Sequence, residues 1–459
     1  MQRQKVSRDS YQSYVWFRQA AERGDAYAQF NLGLMYRKGD PVDRDDAAAF
    51  HWMYKASQQG LAFAQNHLGA LYYNGRGVNK DDREAACWFK RAASQGDPSA
   101  QQNLGQLYRK GRGVEQNDVA AMTWYYRAAE QGIASAQTLL GECFLLGRGV
   151  GANHPIAMAW FRKAAVLGDA LAQLRLGQMY QQGLGVPAST VQALCWFRQA
   201  AAQGNAVAQR ELGLAYAEGR GVRCEPLRAA AWLQRGARQG EAGAQYHLAS
   251  LLLSGRGGQQ DDGVALAWLR RAADQGHLGA QIHMGALYAD GRHVERDEAI
   301  ALEWLRRAAG QGAPAAQYHL GLMHASGRGV ERDEAAAAGW YRLAAEQGIA
   351  DAQNNLGILY ASGRGVSRDD AMAVYWYRQA AERNHALGQY NLGCMIEAGR
   401  GASRDPVCAC MWLILAADNG DDHAGALKSK VARGLSGEEI GAAMDLARQW
   451  KNARRAPPA

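Results

Sequence analysis

The chain has 459 residues, of which 48% are hydrophobic, 54 are glycine and 9 are proline. This apolar fraction is enough for a large core and excludes a disordered chain, a collagen and a small disulfide-stapled scaffold. The 52 basic and 44 acidic residues leave a net charge of +8, a mild excess that does not indicate nucleic-acid binding.

Three features bear on the compartment. The seven cysteines are sparse and lack paired spacings, which favours a reducing environment. Residues 1–10 are polar and do not resemble a signal peptide. The longest apolar run, Val407–Ala417, is shorter than the ~20 residues that span a bilayer. We therefore expect a soluble, cytoplasmic protein, or a periplasmic one only if a leader has been removed.

The chain begins with an expected flexible tail, residues 1–10, and then a single amphipathic helix at 11–24 that forms half a repeat and caps the N-terminal end of the array. From this helix onward tryptophan recurs every 36 residues without insertion or deletion, at Trp16, Trp52, Trp88, Trp124, Trp160, Trp196, Trp232, Trp268, Trp304, Trp340, Trp376 and Trp412. Residues 25–420 are therefore eleven tandem repeats rather than three ordinary domains.

Each repeat predicts two antiparallel helices, as residues 61–96 illustrate. Apolar residues at helical spacing precede Gly75, which suits a helix C-terminus. Cap-type residues at 79–82 open a second helix, and Gly96 closes it. Gly69 lies inside the first helix, where glycine costs roughly 1 kcal/mol against alanine, so we expect another helix to approach closely there.

The last part of the chain departs from the repeat. Residues 421–455 are expected to form a helical cap, in which Ser436 and Glu439 have capping-box spacing at the start of a final helix. Residues 456–459 are expected to be a loose tail. The whole pattern predicts an all-α fold.

The motif A-x-A-Q-x-x-L-G-x-x-Y-x-x-G-R-G-V, followed by A-x-x-W and A-A-x-x-G, resembles the SEL-1-like repeat, a branch of the tetratricopeptide-like solenoids. The resemblance covers about residues 11–420. It implies a right-handed α-solenoid of helix pairs that binds proteins or peptides and acts as an adaptor, without one fixed activity. The ungapped array is more typical of bacterial members.

Most repeated positions are interpreted as structural. The tryptophans are expected to anchor helix pairs, and the glutamine column from Gln29 to Gln389 to bond loop backbone. A basic column near the second-helix C-termini, with acids at the N-termini, complements the helix macrodipole. The turn arginines are either structural or form an edge for an acidic partner; they are Arg76, Arg112, Arg148, Arg220, Arg256, Arg292, Arg328, Arg364 and Arg400.

His67, His247, His283 and His319 share one position of the repeat with several asparagines. A zinc site would need nitrogens about 2.0–2.1 Å from the metal, whereas packed helices lie roughly 8–10 Å apart. We expect no metal and no cofactor; contact with a partner and plain surface both remain open. The sequence has no P-loop, nucleophile elbow or H-E-x-x-H motif, so we expect no enzyme activity.

The positions that vary between repeats are the expected contacts with a partner protein or peptide. In tetratricopeptide-like solenoids the first helix lines the concave groove, and the variable residues fall on one face of it. Packing between neighbouring repeats is the alternative explanation for these residues. Three zones stand out: Tyr27, Phe30, Leu34 and Phe63; Leu139, Leu146, Leu171 and Leu174; and Tyr246, His247, His283, Tyr318, His319, Tyr390 and Asn391.

The leading hypothesis is a monomeric, non-enzymatic scaffold or adaptor. An inhibitor of one bacterial effector toxin, as some bacterial members of the family are, is the related alternative. A weak hydrolase is an alternative of another class, and it would require a nucleophile and a base clustered in the groove. Nucleic-acid binding is the last alternative, and the mild charge disfavours it.

Overall fold

The computed structural model describes residues 8–258 and 261–455, which form 25 α-helices and no β-strand. Of the two expected tails, residues 1–7 and 456–459 lie outside the described residues. Residues 8–10, which the sequence placed in the first tail, belong to the first helix instead. None of the helices in these two ranges is long and apolar enough to cross a membrane.

The chain divides into two compact units, Met1–Gln239 and Gly240–Ala459. The helices of the first unit are α1 (Arg8–Glu22), α2 (Ala26–Lys38), α3 (Asp46–Gln58), α4 (Ala62–Asn74), α5 (Asp82–Ser94), α6 (Pro98–Lys110), α7 (Asp118–Glu130), α8 (Ala134–Leu146), α9 (His154–Val166), α10 (Ala170–Gln182), α11 (Thr190–Ala202), α12 (Ala206–Glu218) and α13 (Pro226–Arg238). The helices of the second unit are α14 (Ala242–Leu253), α15 (Asp262–Asp274), α16 (Leu278–Asp290), α17 (Glu298–Gly310), α18 (Pro314–Ser326), α19 (Glu334–Glu346), α20 (Ala350–Ser362), α21 (Asp370–Glu382), α22 (Ala386–Glu397), α23 (Pro406–Asp418), α24 (Ala424–Ala432) and α25 (Gly437–Arg455).

The helix ends are determined by the residues at them. Gly75 ends α4 in the left-handed conformation, with φ of 66°, and its N–H bonds the carbonyls of Leu71 and Tyr72. The Asp81 carboxylate caps α5 by accepting from the N–H groups of Arg83 and Glu84, at 2.8 and 3.0 Å. Glycine C-caps and side-chain N-caps of this kind recur along the array, so the prediction of helix pairs with glycine turns is confirmed.

A glycine inside ten of the eleven first helices, replaced by Ala249 in α14, allows a second helix to pack closely against it. A Cβ on Gly69 would lie 2.8 Å from Cδ1 of Phe89, a buried residue of α5. The same contact brings Tyr125 against Gly105 and Leu305 against Gly285. The expected close approach of a neighbouring helix is therefore present.

The C-terminal helices close the second unit. Ser436 N–H donates to Oε2 of Glu439 at 2.7 Å, and Glu439 N–H donates to Ser436 Oγ at 3.2 Å, which is the predicted capping box. The helix that it opens, α25, packs Trp450 edge-on against Trp412 with ring centroids 5.9 Å apart. The last regular helix pair is thereby covered.

Candidate functional site

The repeated tryptophans lie on second helices, and seven of them carry a cation on the ring. In α5 the Arg91 guanidinium lies 4.4 Å from the ring centroid of the buried Trp88, and in α9 the Lys163 ammonium lies 4.1 Å from that of Trp160. The basic column therefore has a second role besides the macrodipole, because the cations cover the tryptophans by cation–π contacts. The spacing Trp-x-x-Arg is the sequence signal that could have revealed it.

The glutamine column joins adjacent repeats. Gln65 is buried, and its Nε2 donates to the Ser57 carbonyl of α3 at 3.2 Å. Its Oε1 accepts from Nε2 of Gln95, 30 residues further on, at 2.8 Å. The column thus bonds the last turn of a helix rather than the expected loop, and the Gln95 side chain extends it into a ladder.

The ladder has two interruptions. Leu167 and Arg383 occupy the position of Gln95 in their repeats. The buried Oε1 atoms of Gln137 and Gln353, which lie 30 residues earlier, have no hydrogen-bond partner among the described residues. An unpaired buried acceptor is costly, so each interruption is a local weakness of the array.

Several turn arginines are neutralised by the acids that open second helices. Arg112 forms two bonds to the Asp82 carboxylate, at 2.9 and 2.8 Å, and one to Tyr73 Oη at 2.7 Å. Arg400 bonds Asp370 in the same way and holds the pKa of that carboxyl at about 2. At these repeats the arginine edge is occupied by internal ion pairs, which favours the structural interpretation of the row.

One side of each first helix takes no part in these repeated tryptophan, glutamine and arginine contacts. We call it the first-helix face, and in α2 it comprises Tyr27, Phe30, Asn31, Leu34 and Lys38. The opposite side of the helix is buried against neighbouring helices, whereas this face is mostly exposed or half-buried. The face is the part of the surface on which the variable residues fall.

The first zone forms a continuous aromatic strip. Tyr27 is 60% exposed and its ring centroid lies 5.7 Å from that of Phe63, which lies 5.2 Å from that of Phe30. Phe30 in turn lies 5.2 Å from the ring of His67, and Arg37 Nη1 lies 3.0 Å from Nδ1 of His67. Phe30 itself is buried, so it supports the strip from below, and the half-buried Leu34 packs beside it.

His67 completes the strip as a neutral group. Burial lowers its pKa to about 4, and the nearby Arg37 contributes to the lowering. The ring is therefore uncharged at neutral pH, and Arg37 supplies the positive charge at this end of the strip.

The second zone separates into exposed and packed residues. Leu146 and Leu171 are exposed, Leu146 to 54%, so they remain candidates for contact with a partner. Leu174 is only 4% exposed and packs in the core beside α11, and Leu139 is half-buried against the α7–α8 core. The expectation that all four form one surface patch is corrected, because Leu174 fills the space between repeats.

The third zone brings part of its residues together. The Tyr246 ring centroid lies 5.0 Å from that of His247 and 6.2 Å from that of His283. It also stacks on His277 at 4.7 Å, a residue that the sequence analysis missed although it stands at the cap position of α16. Burial lowers the pKa of His283, which favours its neutral form.

The other members of this zone lie on later helices. Tyr318 and His319 have ring centroids 5.7 Å apart, and the exposed His319 lines a pocket of about 340 Å³ with Arg292 and Arg328. Asn391 Nδ2 donates to Oδ1 of Asn354 at 2.9 Å, and the half-buried Tyr390 lies next to it in sequence. Hydrogen bonding along this position is thus partly internal to the array.

Two chemical alternatives, a metal site and a reactive thiol, depend on the arrangement of the His, Cys, Asp and Glu side chains. No group of three His, Cys, Asp or Glu side chains there could hold a metal ion. The seven cysteines all lie in the described ranges and form no disulfide there; burial raises the pKa of the Cys143 thiol to about 11 and also raises that of Cys410. A raised thiol pKa is the opposite of what an activated nucleophile requires.

Comparisons with known proteins agree with this arrangement. The Sel1 repeat model matches twelve consecutive segments, residues 2–25, 26–61, 62–97, 98–133, 134–169, 170–205, 206–241, 242–277, 279–312, 314–349, 350–385 and 386–421. A comparison with curated proteins gives no match.

Solved structures include a similar protein of almost the same length. The crystal structure of c5321, a protective antigen present in uropathogenic Escherichia coli strains, is 33% identical, with a TM-score of 0.74 over 97% of this chain and 98% of that one. A Sel1 repeat protein from Oxalobacter formigenes is also 33% identical and covers 53% of this chain and 96% of its own, with a TM-score of 0.49. An immunity protein from Pseudomonas aeruginosa is 20% identical over 51% of this chain and 84% of its own, with a TM-score of 0.31.

The paired helices, their glycine turns and the 36-residue period define an α-solenoid repeat protein. Within that class, the chain belongs to the Sel1 repeat family. Sel1 repeat proteins are generally non-enzymatic scaffolds that bind protein partners.

Proposed function

We propose that this chain is a non-enzymatic adaptor that holds a partner protein or peptide against its first-helix face, within the concave groove that the family resemblance implies. One observation carries the proposal. Seven of the repeated tryptophans, the glutamine column and several turn arginines are occupied by internal contacts, whereas variable positions of the first helices keep exposed aromatic and aliphatic side chains.

Exposed apolar and aromatic residues of this kind are those that protein interfaces use as anchors. Tyr27, Leu146 and Leu171 each present such a side chain on a different first helix. An array of separate contacts suits an extended or helical segment of the partner.

The test compares two triple variants of the full chain as baits in affinity capture with mass spectrometry. The first variant combines Tyr27→Asp, Leu146→Asp and Leu171→Asp on the first-helix face. The control combines three exposed residues of second helices, Val119→Asp, Val191→Asp and Leu227→Asp, which lose a similar apolar area and gain the same charge.

We expect a protein that the wild type and the control capture and that the face variant loses, with the helical circular-dichroism signal unchanged in all three. Capture by the face variant at the wild-type level would contradict binding at this face. No specific protein from any bait would contradict the adaptor function itself. If the captured protein is a toxin that the chain neutralises, the adaptor acts as an inhibitor.

A further inference from the structure

The first-helix face of α2, α4 and α6 has an unusual charge. These three helices contain Arg37, Lys38, Arg109 and Lys110, and their sequences include no aspartate or glutamate. In the part of the chain that the structure describes, none of the four forms an ion pair, and Lys38 and Lys110 are exposed.

The acids nearest in sequence are already engaged or lie at the far ends of the helices. The Asp97 carboxylate accepts from Ala100 N–H at 2.6 Å and caps α6, about 18 Å from the last turn of a 13-residue helix. Asp82 is bonded twice by Arg112. Asp40 and Asp43 follow α2 and Glu115 follows α6, and among the described residues no ion pair joins these acids to the four cations.

The face gains acids beyond α6. Glu142 of α8 projects toward α10, where Arg175 bonds it at 2.7 Å. Among the described residues of the first unit, first-helix cations without an ion pair are therefore confined to α2 and α6.

Helix macrodipoles do not explain this distribution. A cation in the last turn is favourable at any helix C-terminus. The last turns of α4, α8, α10 and α12 nevertheless contain no basic residue. The cations of α2 and α6 are thus a local property of this face.

The cations adjoin the aromatic strip. Arg37 contacts His67, and the strip continues through Phe30 and Phe63 to the exposed Tyr27. Aromatic anchors bordered by cations are complementary to a segment that carries both apolar side chains and carboxylates.

We propose that the first-helix face of α2, α4 and α6 docks an acidic protein segment, which places an aromatic or large aliphatic side chain against Tyr27 and Phe63 and carboxylates near Lys38, Arg109 and Lys110. This inference rests on the proposed adaptor function and specifies the chemistry of the partner and the part of the array that binds it.

The experiment selects binders from a displayed library of random 16-residue peptides on the full-length chain. The enriched peptides are then titrated against wild type, against Lys38→Glu/Lys110→Glu and against Tyr27→Ala. A matched control, Lys90→Glu/Arg198→Glu, reverses two exposed cations on second helices of the same unit. Circular dichroism and thermal unfolding confirm that each variant is folded.

We expect the enriched peptides to be acidic and to contain at least one aromatic or large aliphatic residue. Their affinity should fall about tenfold in Lys38→Glu/Lys110→Glu and in Tyr27→Ala, remain unchanged in the control, and weaken as salt is added.

Three results would overturn the inference. Enrichment of neutral or basic peptides would show that the positive charge of the face does not select acidic ligands. Equal binding to wild type and to Lys38→Glu/Lys110→Glu would place the binding site elsewhere. If the library yields no binder, the partner captured by the wild-type bait is titrated instead, and undiminished binding to this variant refutes the inference. In all three cases the adaptor function stands, and it fails only if no protein or peptide binds.

A 20-nucleotide single-stranded DNA that binds this face more tightly than the acidic peptides would replace the protein segment by a nucleic acid.

Discussion

Replacing Leu167 by glutamine should stabilise the first unit by repairing its interrupted ladder. Leu167 is 58% exposed at the end of α9, and Gln137 Oε1 has no hydrogen-bond partner among the described residues. In the flanking repeats the corresponding bonds are 2.9 Å, from Gln131 to Gln101, and 2.8 Å, from Gln203 to Gln173. The geometry for a new bond from residue 167 to Gln137 is therefore already present.

The expected gain is the difference between two terms. Satisfying a buried acceptor recovers about 1–3 kcal/mol. Ordering the glutamine side chain costs up to about 1.5–2 kcal/mol, less here because the side chain stays partly exposed. The net stabilisation should be about 1 kcal/mol. That corresponds to a rise of about 2 °C in Tm for a unit of this size and to roughly fivefold slower hydrogen exchange of the amides in α8 and α9.

Two variants control this result. Leu167→Ala removes the leucine without supplying a donor and should not be stabilised. Gln131→Leu creates the same interruption at Gln101 and should lose about 1–2 kcal/mol. If the amides of α8 and α9 exchange at the same rate in Leu167→Gln and in Leu167→Ala, and Gln131→Leu is as stable as wild type, the ladder does not contribute to stability and the reasoning is wrong.

Gly69→Ala should lower the free energy of unfolding in urea by about 1–2 kcal/mol, because the new Cβ would lie 2.8 Å from Phe89 Cδ1; an unchanged midpoint would contradict the tight packing. Because burial lowers the pKa of His67 to about 4 from 6.5, the unfolded chain binds a proton between these pH values that the folded chain does not. The stability that the neutral His67 imidazole contributes is complete above about pH 6.5 and falls toward pH 4 by at most about 3 kcal/mol. Urea titrations at pH 7 and 4.5 should show that His67→Asn removes this fall. Arg91→Ala should cost about 0.5–1 kcal/mol by uncovering Trp88, with Arg91→Lys close to wild type, and equal losses in both variants would argue against a cation–π contact.

The helices could be predicted from the sequence because their signals are local. Gly75 needs a left-handed backbone, Asp81 caps the next helix, and Ser436 and Glu439 form their box within four residues. Each of these features is decided by neighbours in the chain, so the repeat pattern was sufficient to place the helix ends.

Contacts between repeats could not be predicted in the same way. The columns of Arg112 and Asp82 were both visible, but the 30-residue offset that joins them depends on how one repeat stacks on the next. The bond from Gln65 to the Ser57 carbonyl of the preceding repeat depends on the same stacking. Leu174 illustrates the limit for the candidate site, since its helix position is half-buried in some repeats, as at Gln102, and buried against neighbouring helices in others.

The glutamine ladder also bears on how such a chain changes length. Gln65 bonds the Ser57 carbonyl of the preceding repeat and Gln101 bonds that of Ala93, while Gln95 and Gln131 donate to these two glutamines from within the same repeat. Repeats joined in this way are interchangeable modules: removing one complete 36-residue module leaves two ends that fit each other, whereas removing a few residues misaligns every module beyond the cut. The array can therefore be lengthened or shortened only in whole steps, and each step adds or removes one first helix from the proposed binding face.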